Sequence, residues 1–216
     1  MTTTPPATRP PSAATAPHPP ADGPTVIGLD CGTPNPGTAD HLLHRLADLL
    51  PLPQGSYACT HRAPAPRPHI ALSLRLPDTT TAEAVLDRLA AGAAAVPGLS
   101  AVLGDRRLGP PARRGTAAAA ADAHATRTGG RAVLFPGSDT LTGTLTLREL
   151  LARTAITRTE VLGGVTPDPD AVLDTRGHVR PEWADGELLL RLMPASGGTY
   201  LPFEIPDPHP CCTDHP

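Results

Sequence analysis

The sequence contains no lysine: all 18 of its basic residues are arginine, and asparagine occurs only at Asn35. Lysine and asparagine have AT-rich codons, whereas the abundant alanine, glycine, proline and arginine have GC-rich codons. The composition therefore indicates a bacterial genome of high GC content. Aromatic residues make up only 2% of the chain, so a hydrophobic core must consist mainly of leucine, valine and alanine. A chain of 216 residues is long enough to bury such a core.

The chain also lacks long apolar runs and clusters of like charge. No stretch reaches the ~7–15 apolar residues of a secretory signal or the ~20 of a membrane span, so we expect a cytoplasmic protein that does not enter a membrane. The formal charge of -3 is spread along the chain and predicts no contact with nucleic acid. In a reducing compartment the four cysteines are expected to be thiols, metal ligands or redox-active groups, and not disulfides.

Proline and glycine are abundant, at 29 and 20 residues, and divide the chain into segments. Residues 1–24 predict a disordered tail, because they contain too few apolar side chains to offset the entropy of ordering. Residues 25–205 predict a single α/β or α+β domain, with a mixed sheet covered by helices. Within it, the low-complexity residues 104–130 predict a mobile insertion with a weakly anchored helix. Residues 206–216 form a Cys/His/Pro-rich tail that is also expected to be disordered.

The spacing of apolar residues predicts strands and helices in the first half of this domain. A buried strand is expected at residues 25–30, and a second strand at residues 69–76, where apolar residues alternate with more polar ones. A helix follows each strand, because leucines and valines then recur at helical spacing. The first of these helices is expected to have Thr38 as its N-cap, and the second to begin near Thr81. The second unit, with a short return strand after it, is typical of a βαβ segment.

Two local signals define the second half. Thr146 and Glu149 match a capping box, which predicts the start of a further helix. Residues 187–193 and 199–205 each place apolar side chains on one face and are separated by a Ser-Gly-Gly turn, which predicts a C-terminal β-hairpin. Pro202 lacks an amide hydrogen, so its strand is expected at a sheet edge.

The C-terminal tail concentrates groups that bind soft metals. Within residues 206–216 the chain carries half of its four cysteines. Thiolate and imidazole are ligands that zinc and copper prefer. We therefore expect a metal site there, with zinc or copper as the ion. Its candidate ligands are His209, Cys211, Cys212 and His215.

The body of the chain offers further donors that could complete such a site. His41 and His44 are three positions apart on a predicted helix and therefore neighbours on its surface. Cys59 and His61 would share one face of a strand. Cys31 is the remaining thiol. Each of these side chains also has an ordinary interpretation, as a solvated histidine or a small buried cysteine.

These features predict an accessory or interaction protein rather than an enzyme, one that binds or senses a soft metal through the tail. A small thiol-dependent enzyme or redox protein stays open as an alternative, with Cys211 or Cys212 as the nucleophile and a tail histidine lowering its pKa. A third alternative is a partner-binding module without metal, whose tail docks on a protein partner as an extended, proline-rich peptide.

Overall fold

The computed structural model describes residues 25–50, 52–64, 67–92 and 96–205. In this part of the chain, a single twelve-stranded sheet is accompanied by four α-helices. The helices are α1 (Pro36–Leu49), α2 (Thr79–Ala91), α3 (Arg114–Ala125) and α4 (Leu147–Arg153). The strands are β1 (Thr25–Thr33), β2 (Tyr57–Ala63), β3 (His69–Leu76), β4 (Ser100–Leu103), β5 (Arg106–Leu108), β6 (Arg131–Leu134), β7 (Thr144–Thr146), β8 (Arg158–Val161), β9 (Val172–Asp174), β10 (Glu182–Ala184), β11 (Glu187–Pro194) and β12 (Tyr200–Pro202).

The first half of the chain forms a β1-α1-β2-β3-α2-β4 unit. Its strands lie in the order β4-β1-β3-β2, and every neighbouring pair is antiparallel. Two interleaved strand–helix–strand connections of this kind make the ferredoxin-like arrangement. The strands and helices predicted for this half are confirmed, and β2 completes the unit.

Both helices of this unit start earlier than predicted because an amide or carboxylate side chain caps them. Asn35, not Thr38, is the N-cap of α1, and its Oδ1 accepts the backbone N–H of Thr38 at 2.9 Å. Asp78 caps α2 in the same way and accepts the backbone N–H of Thr81 at 2.7 Å. Side-chain oxygens of this kind satisfy amide groups that have no partner within the helix.

Alternation along the central strands creates two different faces of the sheet. On β3, the residues facing α1 and α2 are large and apolar and belong to one buried core: Ile70, Leu72, Leu74 and Leu76. The residues between them, Ala71, Ser73 and Arg75, point to the other face. Such alternation is typical of a sheet with one solvated face. Here the second face is covered as well, since Ala71 and Ser73 are 1% and 0% exposed.

Helix α3 covers this second face, although the sequence predicted a weakly anchored helix in a mobile insertion at residues 104–130. The helix contacts β1, β3 and β4, and its Ala117 and Ala120 are buried. Its small side chains let the backbone come very close to the sheet. A Cβ atom added at Gly28 would lie 1.8 Å from the carbonyl oxygen of Ala117. Close approach thus replaces the large apolar residues whose absence suggested weak anchoring.

The second half extends the same sheet. Strand β6 pairs with β2 and with β10, and β11 follows β10. Strands β11 and β12 form the predicted C-terminal hairpin. The prediction that Pro202 places its strand at a sheet edge is wrong, because β12 lies between β11 and β9, and β9 pairs with it at Tyr200, not at Pro202. Most pairs are antiparallel, but β8 runs parallel to β11 and β12 runs parallel to β9. The prediction of a mixed sheet covered by helices is therefore confirmed.

The predicted capping box is also present at the start of α4. The backbone N–H of Glu149 donates to Thr146 Oγ1 at 3.2 Å, and the N–H of Thr146 donates to Glu149 Oε2 at 2.9 Å. Leu147 and Leu150 of this helix are buried in a second core with Trp183 and the leucines of β11. The helix start was therefore correctly predicted from two residues.

The two predicted tails, residues 1–24 and 206–216, lie outside the described residues. Across the described ranges, no helix combines the length and apolar character that crossing a membrane requires.

Candidate functional site

A cleft of about 850 Å³ opens on the face of the sheet that carries α1. The start of α1 lines it on one side, and the segment that follows β12 lines it as well. Residues of β2, β6, β10 and β11 complete the lining. The cleft therefore lies where the ferredoxin-like half meets the second half of the chain. Cavities of this size commonly hold small ligands in proteins.

A buried ion network crosses the cleft and begins at Asp40 of α1. Arg131 on β6 donates to both of its carboxylate oxygens, from Nη1 at 2.6 Å and from Nη2 at 3.1 Å. Arg180 Nε donates to Oδ2 at 2.9 Å. The Asp40 and Arg180 side chains are only 11% and 13% exposed. Because each charge has a partner, the network joins α1 to the second half without leaving an uncompensated charge in the interior.

The same arginine reaches the C-terminal end of the described chain. Arg131 Nε donates to Glu204 Oε2 at 2.5 Å, and its Nη2 donates to the other oxygen. His178 Nε2 lies 3.3 Å from Glu204 Oε1. Glu204 follows β12 and comes just before residue 206, so this contact fixes the position from which the Cys/His tail continues.

The opposite charges of the network determine which of its side chains are ionised. Burial raises the pKa of Asp40, but the hydrogen bonds and charges of Arg131 and Arg180 outweigh burial and hold that pKa below 3.8. The pKa of Glu204 is lowered in the same way by Arg131 and His178, against the effect of burial. Burial and the nearby Arg180 lower the pKa of His178. At neutral pH both carboxylates are therefore ionised and His178 is neutral.

Two more arginines line the cleft and differ in their partners. Arg191 on β11 donates to Glu182 at 2.6 Å and to Glu160 at 2.9 Å. The side chain of Arg62 on β2 is exposed and makes no hydrogen bond or ion pair with any residue that the structure describes. Among the described residues, its guanidinium is thus an unpaired cation beside the paired charges of the cleft.

Behind the cleft, on the α3 face of the sheet, three side chains form a hydrogen-bonded chain. His61 Nε2 lies 2.7 Å from Ser73 Oγ, and the same oxygen lies 2.7 Å from His124 Nδ1. Burial lowers the pKa of His61 to about 4. Burial, and then the neighbouring His61 and Arg75, lower the pKa of His124 to about 3. Both rings are therefore neutral at pH 7, as a hydroxyl that donates to one and accepts from the other requires.

This series of hydrogen-bonded side chains ends at the thiol of Cys59, which is buried and unreactive. Cys59 Sγ lies 3.8 Å from His124 Nε2, and Cys59 is 0% exposed. Burial raises its pKa to about 12. Since the thiolate is the nucleophile and the metal ligand, Cys59 is inert in both respects at neutral pH.

Asp30 anchors a third polar group where β1 meets α3. It is 0% exposed, and it accepts hydrogen bonds from the backbone N–H of Gly32 at 2.7 Å and from Thr116 Oγ1. The ring of His69 lies between Asp30 Oδ2 at 2.9 Å and the carbonyl oxygen of Arg67 at 2.8 Å. Burial lowers the pKa of His69, but these two acceptors outweigh it and raise that pKa overall. The group ties α3 to the sheet.

The structure does not bring the predicted body ligands together. His41 and His44 are exposed on the outer surface of α1, and Cys31 is half-buried at the end of β1. Cys59 and His61 do share one face of β2, as predicted, but they are the two ends of the buried chain. Within residues 25–205, as far as they are described, no three histidine, cysteine or acidic side chains are placed to hold a metal ion.

The predicted tail ligands lie outside the described residues: His209, Cys211, Cys212 and His215. In contrast, the cleft network was not predicted from the sequence. Asp40 and Arg131 are separated by 91 positions, and Arg131 and Glu204 by 73. No local pattern in the sequence marks such pairs.

Comparison of the chain with models of protein families, with curated proteins and with solved structures finds no match. Its function must therefore be inferred from the residues and their geometry.

Proposed function

We propose that this chain is a bacterial, cytoplasmic accessory protein that binds or senses a soft metal ion, zinc or copper, through its C-terminal tail. The proposed ligands are His209, Cys211, Cys212 and His215. One observation carries the proposal: Ile205, the residue before the tail, lines the cleft, so the dense group of thiol and imidazole donors in the sequence begins beside this cleft. We propose no catalytic step for this protein.

Two features of the described residues support this proposal. They contain no group of three donors that could hold a metal, so a soft-metal site has to draw on the tail. His178 is a donor close to the origin of the tail, because its ring contacts Glu204. Six residues span at most about 20 Å when fully extended, so Cys211 lies within that distance of Ile205. His178 is therefore our candidate for an additional ligand from the body.

The alternatives predict different chemistry for the same tail. A thiol enzyme would depend on Cys211 or Cys212, because Cys59 is inaccessible and its pKa is raised to about 12. Such thiols should react rapidly with an alkylating reagent in metal-free protein. A partner-binding module would neither hold metal nor react in this way.

The test is elemental analysis of the full chain, purified without a histidine tag, beside a chain that ends at Pro206. We expect about one zinc or copper ion per full chain and none in the shorter chain. Absence of metal from both, even after reduction and reconstitution, would overturn the proposal.

Two substitutions refine this test. His178→Gln is expected to weaken metal binding if the body contributes a ligand, and His41→Gln, on the exposed surface of α1, is the matched control. Retention of full affinity in His178→Gln would restrict the site to the tail.

A further inference from the structure

One charged side chain that lines the cleft has no ion-pair partner among the described residues. The charged side chains of the cleft are four arginines and three carboxylates, with the histidines neutral: Arg62, Arg131, Arg180, Arg191, Asp40, Glu182 and Glu204. Each carboxylate already accepts hydrogen bonds from one or two of these arginines. Arg191 also donates to Glu160, a fourth carboxylate beside the cleft, so among the described residues Arg62 is the lining arginine that no carboxylate neutralises, and it favours an anion.

The Arg62 side chain lies on the cleft side of the sheet. Alternation along β2 points its side chain to the α1 face, the same face as Thr60, which contacts Arg131 Nη1 at 3.5 Å. Arg62 pairs with Ile70 of β3, which also lines the cleft. A guanidinium group offers two parallel N–H donors that match a carboxylate. Since the guanidinium of Arg62 has no ion-pair partner among the described residues, a ligand would displace no existing ion pair.

The rim of the same cleft is apolar and exposed. Phe203 is 51% exposed and Ile205 is 38% exposed, and both line the cleft with Pro202. Phe203 is one of only two phenylalanines in the chain. An aromatic side chain left half in water beside a second large apolar side chain is typical of a surface that contacts a ligand.

The start of α1 leaves open space where it lines the cleft. A Cβ atom added at Gly37 would meet only Asn35 Oδ1, at 3.6 Å, so the space next to this part of the backbone is open. The volume of about 850 Å³ lies in the range of small-molecule sites.

We propose that the cleft binds a small organic acid, with its carboxylate on the guanidinium of Arg62 and its apolar group against Phe203 and Ile205. This site is distinct from the proposed metal site, because its contacting residues, Arg62, Phe203 and Ile205, include none of the proposed metal ligands. Either proposal can therefore fail without the other.

The test is calorimetric titration of the full chain with 4-phenylbutyrate, and with its amide, 4-phenylbutyramide, as a ligand of the same shape without charge. We expect millimolar or tighter binding of the acid and affinity about tenfold lower for the amide, as a charged hydrogen-bonded pair predicts. Arg62→Gln should lower the affinity for the acid to that for the amide. Phe203→Ala should weaken binding of both.

Arg88→Gln is the matched control, because Arg88 is an exposed arginine on α2, away from the cleft, and its loss changes the net charge equally. Arg88→Gln should bind the acid like the unaltered protein. The proposal is overturned if neither ligand binds, if the acid and the amide bind equally, or if Arg62→Gln and Arg88→Gln have the same effect.

Discussion

The buried histidines predict that acid destabilises this protein well above the pH at which its carboxylates titrate. The folded-state pKa values are about 4 for His61 and about 3 for His124, compared with 6.5 in an exposed histidine. Between these values the unfolded chain binds protons that the folded protein does not. The stability that these histidines contribute is thus fully present above pH 6.5 and is lost as the pH falls towards 4.

The magnitude follows from proton linkage. Each histidine changes the free energy of unfolding by about 1.4 kcal/mol per pH unit, so the two together change it by about 2.7 kcal/mol per unit in the middle of this pH range. The loss between pH 7 and about pH 4.5 amounts to about 5 kcal/mol, which is comparable with the whole stability of many domains. The lowered pKa of His178 acts in the same direction, whereas the raised pKa of His69 acts above pH 6.5 with the opposite sign.

Urea unfolding, followed by Trp183 fluorescence at several pH values from 7.5 to 4.5, measures this slope. His124→Gln retains a side chain able to bond Ser73 but does not titrate, so it should reduce the slope to about half, about 1.4 kcal/mol per unit. The control is His41→Gln, at an exposed position of α1, and it should show the same pH dependence of the free energy of unfolding as the unaltered protein. A stability that is constant from pH 6.5 to 4.5, or an equal slope in His124→Gln and the unaltered protein, would refute the reasoning.

Two further predictions concern the contacts that hold the halves and layers together. Asp40→Asn removes the carboxylate that Arg131 and Arg180 share. Thermal unfolding should show a free energy of unfolding that is lower by about 3 kcal/mol. A decrease of less than about 1 kcal/mol would contradict a structural role for the network. Gly28→Ala should lower the free energy of unfolding by about 3 kcal/mol, because the added Cβ would collide with the backbone of α3. The control is Gly115→Ala, whose Cβ would meet no atom within 4 Å, and it should leave the stability unchanged or increase it. Equal stability of the two glycine variants would show that α3 is not closely packed at Gly28.

Local signals in the sequence predicted much of the fold. The capping box of Thr146 and Glu149, the alternation along β3 and the turn before β12 each depend on residues that are close in the chain. Such signals locate helices, strands and hairpins. The N-cap of α1 was placed three residues late, because Thr38 and Asn35 both suit a helix start and only the backbone conformation distinguishes them.

The second face of the sheet could not be predicted in this way. Ala71, Ser73 and Arg75 alternate with large apolar residues, a pattern that is typical of a sheet with one solvated face. Whether that face is covered depends on α3, a helix so rich in alanine that its sequence gives no sign of a buried surface. Its packing is decided by the absence of a side chain at Gly28, which no periodicity reveals.

The cleft could not be predicted from the sequence for a related reason. Its ion network joins Asp40, Arg131 and Glu204 across the full length of the domain, and each residue taken alone resembles an ordinary surface charge. The tail, in contrast, was recognised from composition, because its ligands are neighbours in the sequence.

Titration of the metal-free full chain with cobalt(II) tests the central claim most directly, because thiolate coordination produces a charge-transfer band in the near ultraviolet. We predict that the band appears with about one equivalent of metal, persists in Cys31→Ser and disappears in the double variant Cys211→Ser/Cys212→Ser. If the full chain produces no such band, or if the double variant retains it, the tail is not the metal site of this protein.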